Sequence, residues 1–508
     1  MYRHNEKQLQ FEKFNLPFAG KLRSDNRWVK LAKQIPWQEI EDIYSSSLSQ
    51  SGKGAPALSV RVAFGALIIK EKLGLSDEET VEQIRENPYL QYFLGLKQYE
   101  DKAVFHPTMF VYFRKRFPED IMNQINELIA LKAIKTTNKE TKKDSDNDDD
   151  SPTGSDTKNK GKLLVDATCA PEDINYPTDL KLLNNAREKS EQIIDTLHKA
   201  MPKGTKIPRT YRQIARKDFL KVSKSRKPRK KTLRKALRKQ LGYLGRNLRS
   251  IEKQCKTVSL SELSKRQYKT LLVISELYRQ QKWMYDHKSR RINDRIVSIN
   301  KPHVRPIKRG KAGSDTEFGA KISASVVDGF TLVDRIDWNN FNESTDLIDQ
   351  IKAYEKRFGF YPESVHADKI YRNRDNLRFC KKHGIRLSGP KLGRPPKQTE
   401  QNKDKLTADK KIARQDEIDR VAIEGKFGLG KRRYGLGRIM TKLSDTSKTA
   451  IVISFLVMNL EKWLKAIFLF FFWLRYCPER GTSQGCPCTY NNKIAMPVVF
   501  KPVFLGDF

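Results

Sequence analysis

A tight hairpin in the second half of the chain constrains the fold more than any other sequence feature. Two runs rich in apolar and β-branched residues, 318–327 and 330–336, are separated only by Asp328 and Gly329. Aspartate followed by glycine is the strongest short-range signal for a two-residue turn between antiparallel strands, because the turn needs positive φ angles. The sequence therefore predicts a β-sheet at this point.

Two other short apolar runs each end in an acid. Residues 162–166 end at Asp166, and residues 364–368 end at Asp368. Alternation places His366 on the same face as Asp368. A carboxylate at the exit of a buried strand is a common place for metal chemistry, although an aspartate that caps the next turn gives the same pattern. We interpret His366 as a polar neighbour and not as a ligand.

Further elements are predicted around these acids. A helix over residues 344–358 follows the hairpin, another opens at Tyr371, and a fifth strand begins at Ile385. The segment 390–410 is rich in Pro, Gln and Lys and is predicted to be a loop.

A charged stretch over residues 420–435 follows that loop. At about 100° per residue on a helix, Arg420, Glu424 and Lys431 lie on one face, with an acid between two bases. Apolar neighbours imply that the helix is half-buried, and an unpaired buried carboxylate is costly. Either the two bases or a metal ion must neutralise Glu424. Three glycines weaken the helix and leave open whether it reaches Lys431. The apolar neighbours are Val421, Ile423 and Phe427.

The spacing of these three ionic residues resembles the tyrosine-arginine-glutamate-lysine signature of bacterial insertion-sequence transposases. The segments IEGKFGLGKRRYGLGRIM and VMNLEK are similar to those of the insertion-sequence-5 type, which has a DDE catalytic core. VDAT around Asp166 and ADKIYRNRDNL around Asp368 resemble the first and second catalytic aspartate motifs. Position 417 is Glu, so the tyrosine of the signature is absent. The resemblance covers most of residues 15–465.

The resemblance and the order of elements imply an α/β RNase-H-like catalytic core over residues 162–465. An all-α domain precedes the core, and a large helical insertion follows its first strand. Asp166, Asp368 and Glu424 are then the catalytic residues and the ligands of two Mg²⁺ or Mn²⁺ ions, since carboxylates suit hard cations. Arg420 and Lys431 are expected to contact phosphate at the transposon end or to pair with Glu424. Two other acids compete for the third ligand position, namely Glu417 and Asp419.

The helical insertion spans residues 178–299. Leucines from 233 to 248 and Ile251 have coiled-coil spacing, and Ser259 with Glu262 is predicted to cap a second helix, so two long antiparallel helices are expected. Residues 221–240 contain seven Lys, four Arg and no acid. Such one-signed charge favours a salt-sensitive DNA clamp over a merely solvated helix. The candidate DNA contacts are Lys230, Lys231, Arg234 and Arg238.

Residues 1–135 are predicted to form a compact helical domain that binds DNA or serves for docking or dimerisation. Its helices include residues 58–73 and one that begins with a capping box of Ser76 and Glu79 and ends at Asn87-Pro88. Residues 114–116 are candidate phosphate contacts, although a solvated helix face explains them equally well. Residues 136–161 have no large apolar side chain and are predicted to be a disordered linker, with no calcium loop in their acidic run.

The formal net charge of +39 points to a polyanionic partner, and nucleic acid fits better than a membrane surface. The N-terminus lacks a signal-peptide core, and the scattered cysteines suit a reducing cytoplasm. Residues 466–474 are apolar but too short to span a bilayer, so we expect a buried helix or strand. The tail that follows, up to 508, differs from the resembling family, and its cysteines lack the spacing of a zinc site.

These observations favour a bacterial DNA transposase that acts in the cytoplasm at the nucleoid. It is expected to cleave and join strands at the terminal inverted repeats of its own insertion sequence, as a homo-oligomer on double-stranded DNA and without a membrane partner. One alternative is a catalytically inactive, sequence-specific DNA-binding protein descended from a transposase. Another is a nucleoid-type structural protein held by the basic hairpin alone. Dependence on a divalent metal separates the enzyme from both.

Overall fold

The computed structural model describes residues 13–16, 20–46, 57–142, 159–311, 314–390, 393, 399 and 403–476. The chain divides into two units, Met1–Leu464 and Lys465–Phe508. The described part of the second unit is the helical stretch 465–476. This agrees with the helical alternative predicted for residues 466–474, and the cysteines of the tail lie outside the described residues. Within the described ranges, no helix is long and apolar enough to span a membrane.

Helices precede the first strand, as the sequence predicts. Ser76 Oγ accepts the Glu79 N–H at 3.0 Å and so caps a helix. The next helix starts at Pro88, where a missing N–H costs nothing. The helices are α1 (Arg27–Gln34), α2 (Trp37–Ser46), α3 (Val60–Leu73), α4 (Asp77–Glu86), α5 (Pro88–Phe93), α6 (Met109–Arg116) and α7 (Glu119–Lys142).

Two expectations for this region need correction. Arg114 is not free to contact phosphate, because its buried guanidinium donates to both carboxylate oxygens of Asp77, at 2.5 and 3.3 Å. Helix α7 continues through Lys142, into the stretch expected to be a linker. The rest of that stretch, residues 143–158, lies outside the described residues.

A mixed sheet forms the centre of the first unit. Its strands are β1 (Lys162–Pro171), β2 (Arg305–Lys311), β3 (Ser314–Val327), β4 (Phe330–Asp337), β5 (Ser364–His366) and β6 (Arg386–Leu387). Strand β3 pairs antiparallel with β1, β2 and β4, whereas β1, β5 and β6 pair in parallel. The predicted hairpin is confirmed: Val327 pairs with Phe330, and Asp328 and Gly329 have φ angles of 49° and 75°.

Strand β1 is longer than predicted. It continues to Pro171 because residues 164–171 pair with β3 along their whole length. Asp166 therefore lies within the strand and not at its exit. Helix α12 (Leu347–Phe358) follows the hairpin, and α13 (Arg374–Lys382) comes between β5 and β6, as predicted, although α13 begins at Arg374 and the expected first residue, Tyr371, lies in a 3-10 turn.

The helical insertion contains four α-helices instead of two. They are α8 (Asp179–Lys199), α9 (Arg212–Ser223), α10 (Lys230–Gln254) and α11 (Lys265–Asp286). Pro202, Pro208 and Pro228 interrupt the helical pattern between them, since proline cannot continue a helix. The predicted stripe of leucines faces the core: Leu241 and Leu244 pack against Ile274, Leu277 and residues of α8. Ser264, and not Ser259, caps α11 in a capping box with Gln267.

Two long helices follow the last strand. Helix α14 (Lys403–Arg433) begins inside the segment predicted to be a loop, and its three glycines do not end it before Lys431. Helix α15 (Ser444–Tyr476) follows. Asn459 in α15 joins β4 and α7, because its side chain accepts the Thr331 N–H at 2.8 Å and donates to Asn126 at 2.9 Å. The N-terminal helices thus share the core of the sheet.

Candidate active site

Asp166 is the centre of the candidate site. It lies opposite Ala324 in the middle of β1, and its carboxylate accepts the Ala167 N–H at 2.8 Å. Burial raises the pKa of this carboxyl group to about 6. The negative charges of Glu343 and Glu424 add to the rise, whereas the Ala167 hydrogen bond and Arg420 oppose it. The fold therefore brings two of the sequence-predicted residues, Glu424 and Arg420, into electrostatic range of Asp166.

Helix α14 carries Glu424 and Arg420 to this position. Its buried residues recur at helical spacing and define the face that packs on β1 and β5. Val421 is not among them: it is 60% exposed, so its expected burial was wrong. Of the three glycines, Gly430 serves packing, since a Cβ atom there would lie only 3.2 Å from Leu436, whereas one at Gly425 would meet open space. The buried residues are Asp416, Ile423, Phe427 and Gly430.

The bases of the signature have different partners. Arg420 pairs with Glu424 at 3.1 Å, and the Glu424 side chain is 50% exposed. The ammonium of Lys431 lies 4.0 Å from Glu317 in β3. Of the two bases expected to neutralise Glu424, the structure thus pairs only Arg420 with it. This pair is partly solvated, so it contributes little stability and can exchange partners.

Asp368 lies two residues beyond the end of β5. The last registered pair of the parallel strands β1 and β5 is Leu164 with His366, and each aspartate comes two residues later. The pairing of the two strands ends before either aspartate, and the charges that shift the pKa of Asp166 most are those of Glu343, Arg420 and Glu424. The exposed Asp368 side chain caps a 3-10 turn and accepts the Lys369 N–H at 2.7 Å. The capping alternative is therefore observed for this acid.

The described residues contain no group of three or more acidic, His or Cys side chains arranged closely enough to hold a metal ion. Of the two acids that compete for the third ligand position, Asp419 is engaged elsewhere. Asp419 pairs with Lys162 at 2.8 Å, and Glu417 is exposed. Asp416 accepts two hydrogen bonds from Arg386, at 2.7 and 2.8 Å, which ties α14 to β6.

His366 belongs to this structural network. The ring is fully buried, and its Nε2 lies 3.0 Å from Ser364 Oγ. Its Nδ1 lies 3.4 Å from Asp416, and Nε2 lies 3.9 Å from Asp419. Burial lowers the pKa of His366, and the two aspartates oppose that shift. The interpretation of His366 as a polar neighbour agrees with these contacts.

Sequence reasoning missed two residues beside Asp166. Glu343 begins a 3-10 turn before α12 and pairs with Lys321 at 2.9 Å. Tyr371 is fully buried, and burial together with the charges of Glu343 and Asp166 raises the pKa of its phenol. The sequence signal that could have identified Tyr371 is the segment ADKIYRNRDNL, which contains this residue. No sequence spacing links Glu343 to β1, because Glu343 is far from that strand along the chain and comes close to it only in the folded protein.

The basic stretch, residues 221–240, lies in the helical insertion and not on the elements that carry Asp166, Asp368 and Glu424. Lys230, Lys231, Arg234 and Arg238 are all exposed in the first half of α10. The Arg234 guanidinium packs on the ring of Tyr285, 4.2 Å from its centre, and donates to the Tyr285 carbonyl at 3.2 Å. The other three present their charge to solvent.

Comparison with known families gives the class of protein. Residues 365–461, which include Asp368 and Glu424, match the family described as "Transposase DDE domain". Residues 17–116 match "Transposase domain (DUF772)". The two matches confirm the predicted resemblance to insertion-sequence transposases of the DDE type. They support a nuclease or transposase class of enzyme, and the family implies a DNA substrate and the use of divalent metal ions.

The chain is also similar to a bacterial protein. It is 24% identical over 189 residues to "Uncharacterized protein ORF8 in nfe locus" of Rhizobium meliloti, which is 37% of this chain and 80% of that protein. No solved structure matches the chain. Asp166 lies outside both family matches, so its assignment rests on the structure and on the VDAT motif.

Proposed function

We propose that this protein is a DNA transposase that cleaves its insertion sequence at the terminal inverted repeats and transfers the freed strand ends to target DNA. The observation that carries the proposal is the setting of Asp166. It is a desolvated carboxylate on the central strand, with Glu424 and Arg420 within electrostatic range, and Asp368 follows the end of the parallel strand that pairs with β1. Carboxylates with strongly perturbed pKa values cluster at functional sites.

The strand order supports an RNase-H-like catalytic core as part of this proposal. Reading across the sheet, the hairpin strands β4 and β3 lie beside β1, followed by the parallel strands β5 and β6. Three antiparallel strands joined to two parallel ones give the topology expected for that fold, with β2 as an addition along β3. The helical insertion after β1 is then an elaboration of this core.

Asp166, Asp368 and Glu424 would hold the divalent ions, as Mg²⁺ or Mn²⁺. Their oxygen donors suit hard cations, and the raised pKa of Asp166 indicates a carboxylate that a nearby cation would help to ionise. When bound, a pair of such ions activates water or a 3′ hydroxyl and stabilises the leaving oxygen. Glu424 must turn from Arg420 to join the aspartates, and its half-exposed side chain has room to do so.

The basic residues have proposed roles in holding DNA. Arg420, once released from Glu424, would contact a phosphate beside the scissile bond, and Lys431 would contact one farther along α14. Lys230, Lys231 and Arg238 would bind backbone phosphates without reading sequence. The N-terminal helical part is proposed to bind DNA or to dimerise, so that two copies act on the paired transposon ends at the nucleoid.

Cleavage of a labelled duplex that carries the inverted repeats flanking the gene tests this function. The unmodified protein should nick the repeat end with Mg²⁺ and not with EDTA. Asp368→Asn should abolish nicking and leave DNA binding intact, whereas the matched control Asp375→Asn, an exposed acid on α13, should cleave normally. Binding without cleavage under any metal would indicate the inactive DNA-binding alternative. Cleavage retained in Asp368→Asn would remove Asp368 from the site.

A further inference from the structure

A basic groove lies between the helical insertion and the sheet core. Its lining residues do not include Asp166, Asp368 or Glu424. It encloses about 570 Å³. Its walls come from the segment after β1, helix α8, the first turns of α11, residues 297–301 and the segment after α14. None of its lining residues comes from the basic stretch 221–240. A volume of this size is within the range of sites that take organic ligands and is more than a single inorganic anion fills.

The charges of the groove are one-sided. Besides Lys301, its cations are Lys181, Lys189, Arg266, Lys269 and Lys442. Among the residues that the structure describes, none of these five forms an ion pair with a carboxylate. Lys181 and Lys189 are half-buried. The groove thus concentrates positive charge on both of its helical walls.

The acids of the same wall are already neutralised. Asp173 accepts two hydrogen bonds from Arg438, at 2.9 and 2.5 Å. The buried Glu172, next in the chain, pairs with Lys301. The local fold therefore satisfies its own carboxylates and leaves the five cations for an external anion.

The rim carries a fixed aromatic ring. Tyr176 is 72% exposed, and its ring meets Phe318 edge-on at a centroid distance of 5.6 Å. Met440, which is 63% exposed, also lines the groove. A held aromatic ring beside unpaired cations suits a nucleic acid, in which apolar sugars and base edges alternate with phosphates.

We propose that this groove is a DNA-backbone binding site distinct from both the acid site and the basic stretch of α10. The choice of DNA as occupant rests on the proposed function. Lys181 and Lys189 are about 12 Å apart along α8, at 1.5 Å per residue. That distance spans several base-pair steps of about 3.4 Å, so the cations can follow one strand. About 17 Å of strand β1 separates Asp166 from Pro171, and the groove begins just after Pro171. The groove therefore holds a part of the DNA away from the bond that is cut.

Binding of a short fluorescein-labelled duplex, measured by anisotropy in EDTA over a range of salt concentrations, tests the groove. The triple variant Lys189→Gln, Lys269→Gln and Lys442→Gln should lower the slope of log affinity against log salt by about 3, or about 1 for each lost phosphate contact. The control triple Lys352→Gln, Lys356→Gln and Lys382→Gln removes the same charge from exposed positions elsewhere. It should change the slope by less than about 1.

Equal slopes and affinities for the groove triple and the control triple would overturn the proposal. Thermal melting of both triples shows whether each is folded. Tyr176→Ala, compared with Tyr176→Phe, gives a second readout, since only loss of the ring should weaken binding. Labelled polyglutamate that binds the unmodified protein and not the groove triple, while both bind DNA equally, would assign the groove to an acidic protein segment instead.

Cleavage by the unmodified protein, assayed in parallel, separates this inference from the proposed function. If the protein binds DNA through the groove and never cleaves it, the enzymatic proposal fails and the groove remains. If the protein cleaves and the groove triple binds like the control triple, only the groove fails.

Discussion

Asp166→Asn should stabilise the protein while it abolishes cleavage. Burial raises the pKa of Asp166 from the ordinary 3.8 to about 6, a shift of about 2 units. At about 1.4 kcal/mol per unit, ionising this side chain in the folded protein costs up to about 3 kcal/mol. Asparagine has nearly the same shape and can still accept the Ala167 N–H, so it removes the charge without a cavity. We expect a gain of about 1 to 3 kcal/mol at pH 8 in EDTA.

The dependence on pH gives this prediction its sign. The folded pKa lies above the unfolded value, so the unmodified protein loses stability as pH rises from about 4 to about 6, and the loss is constant above that range. The advantage of Asp166→Asn should therefore be close to zero at pH 4 and complete by pH 8. Neighbouring charges do not alter this sign, because burial is the largest cause of the shift.

Urea unfolding of the two proteins at both pH values measures the difference. Asp349→Asn, on an exposed position of α12, is the control and should show no gain at pH 8. Added Mg²⁺ should stabilise the unmodified protein more than Asp166→Asn, because the variant lacks a charged oxygen ligand. An Asn variant that is no more stable than the unmodified protein at pH 8, or whose gain is the same at pH 4, would refute the reasoning.

Two further predictions concern the core. Burial raises the pKa of Glu71 to about 7, although it accepts a hydrogen bond from Ser454 at 3.1 Å. Glu71→Gln should therefore stabilise the protein above pH 7 by up to about 3 kcal/mol and have little effect near pH 4.5, as urea unfolding at the two pH values would show. Asn459→Ala strands buried partners in β4 and α7, so its urea midpoint should report a loss of about 2 to 4 kcal/mol. The exposed Asn339→Ala is its control, and an equal effect of both would contradict the role of Asn459.

Local chemistry explains which parts of the fold could be predicted. The Asp328-Gly329 turn, the Ser76 cap and the Asn87-Pro88 break each depend on the conformational preferences of one or two residues, and each is found as expected. The stripe of leucines in α10 depends on helical periodicity alone, and it also faces its core.

Contacts between residues that are far apart in the sequence explain the predictions that were wrong. The end of β1 was predicted at Asp166, but backbone pairing with a strand that lies far along the chain carries it to Pro171. The glycines of α14 weaken an isolated helix, yet the helix continues to Arg433 because its buried face packs in the folded chain. Arg114 has the charge of a phosphate contact, and only the folded chain reveals Asp77 beside it. In each case the deciding partner is invisible to a local reading of the sequence.

The anchoring of α14 bears on how the candidate site could work. Asp416 is buried and held by two hydrogen bonds from Arg386, and Asp419 pairs with Lys162 at the start of β1. These contacts fix the helix against β1 and β6 one to two turns before Glu424. Glu424 itself is half-exposed and is held by a single exchangeable pair with Arg420. A rigid support that presents a movable carboxylate is what the proposed site requires, because the backbone sets the distance to Asp166 while the side chain turns from Arg420 toward the two aspartates.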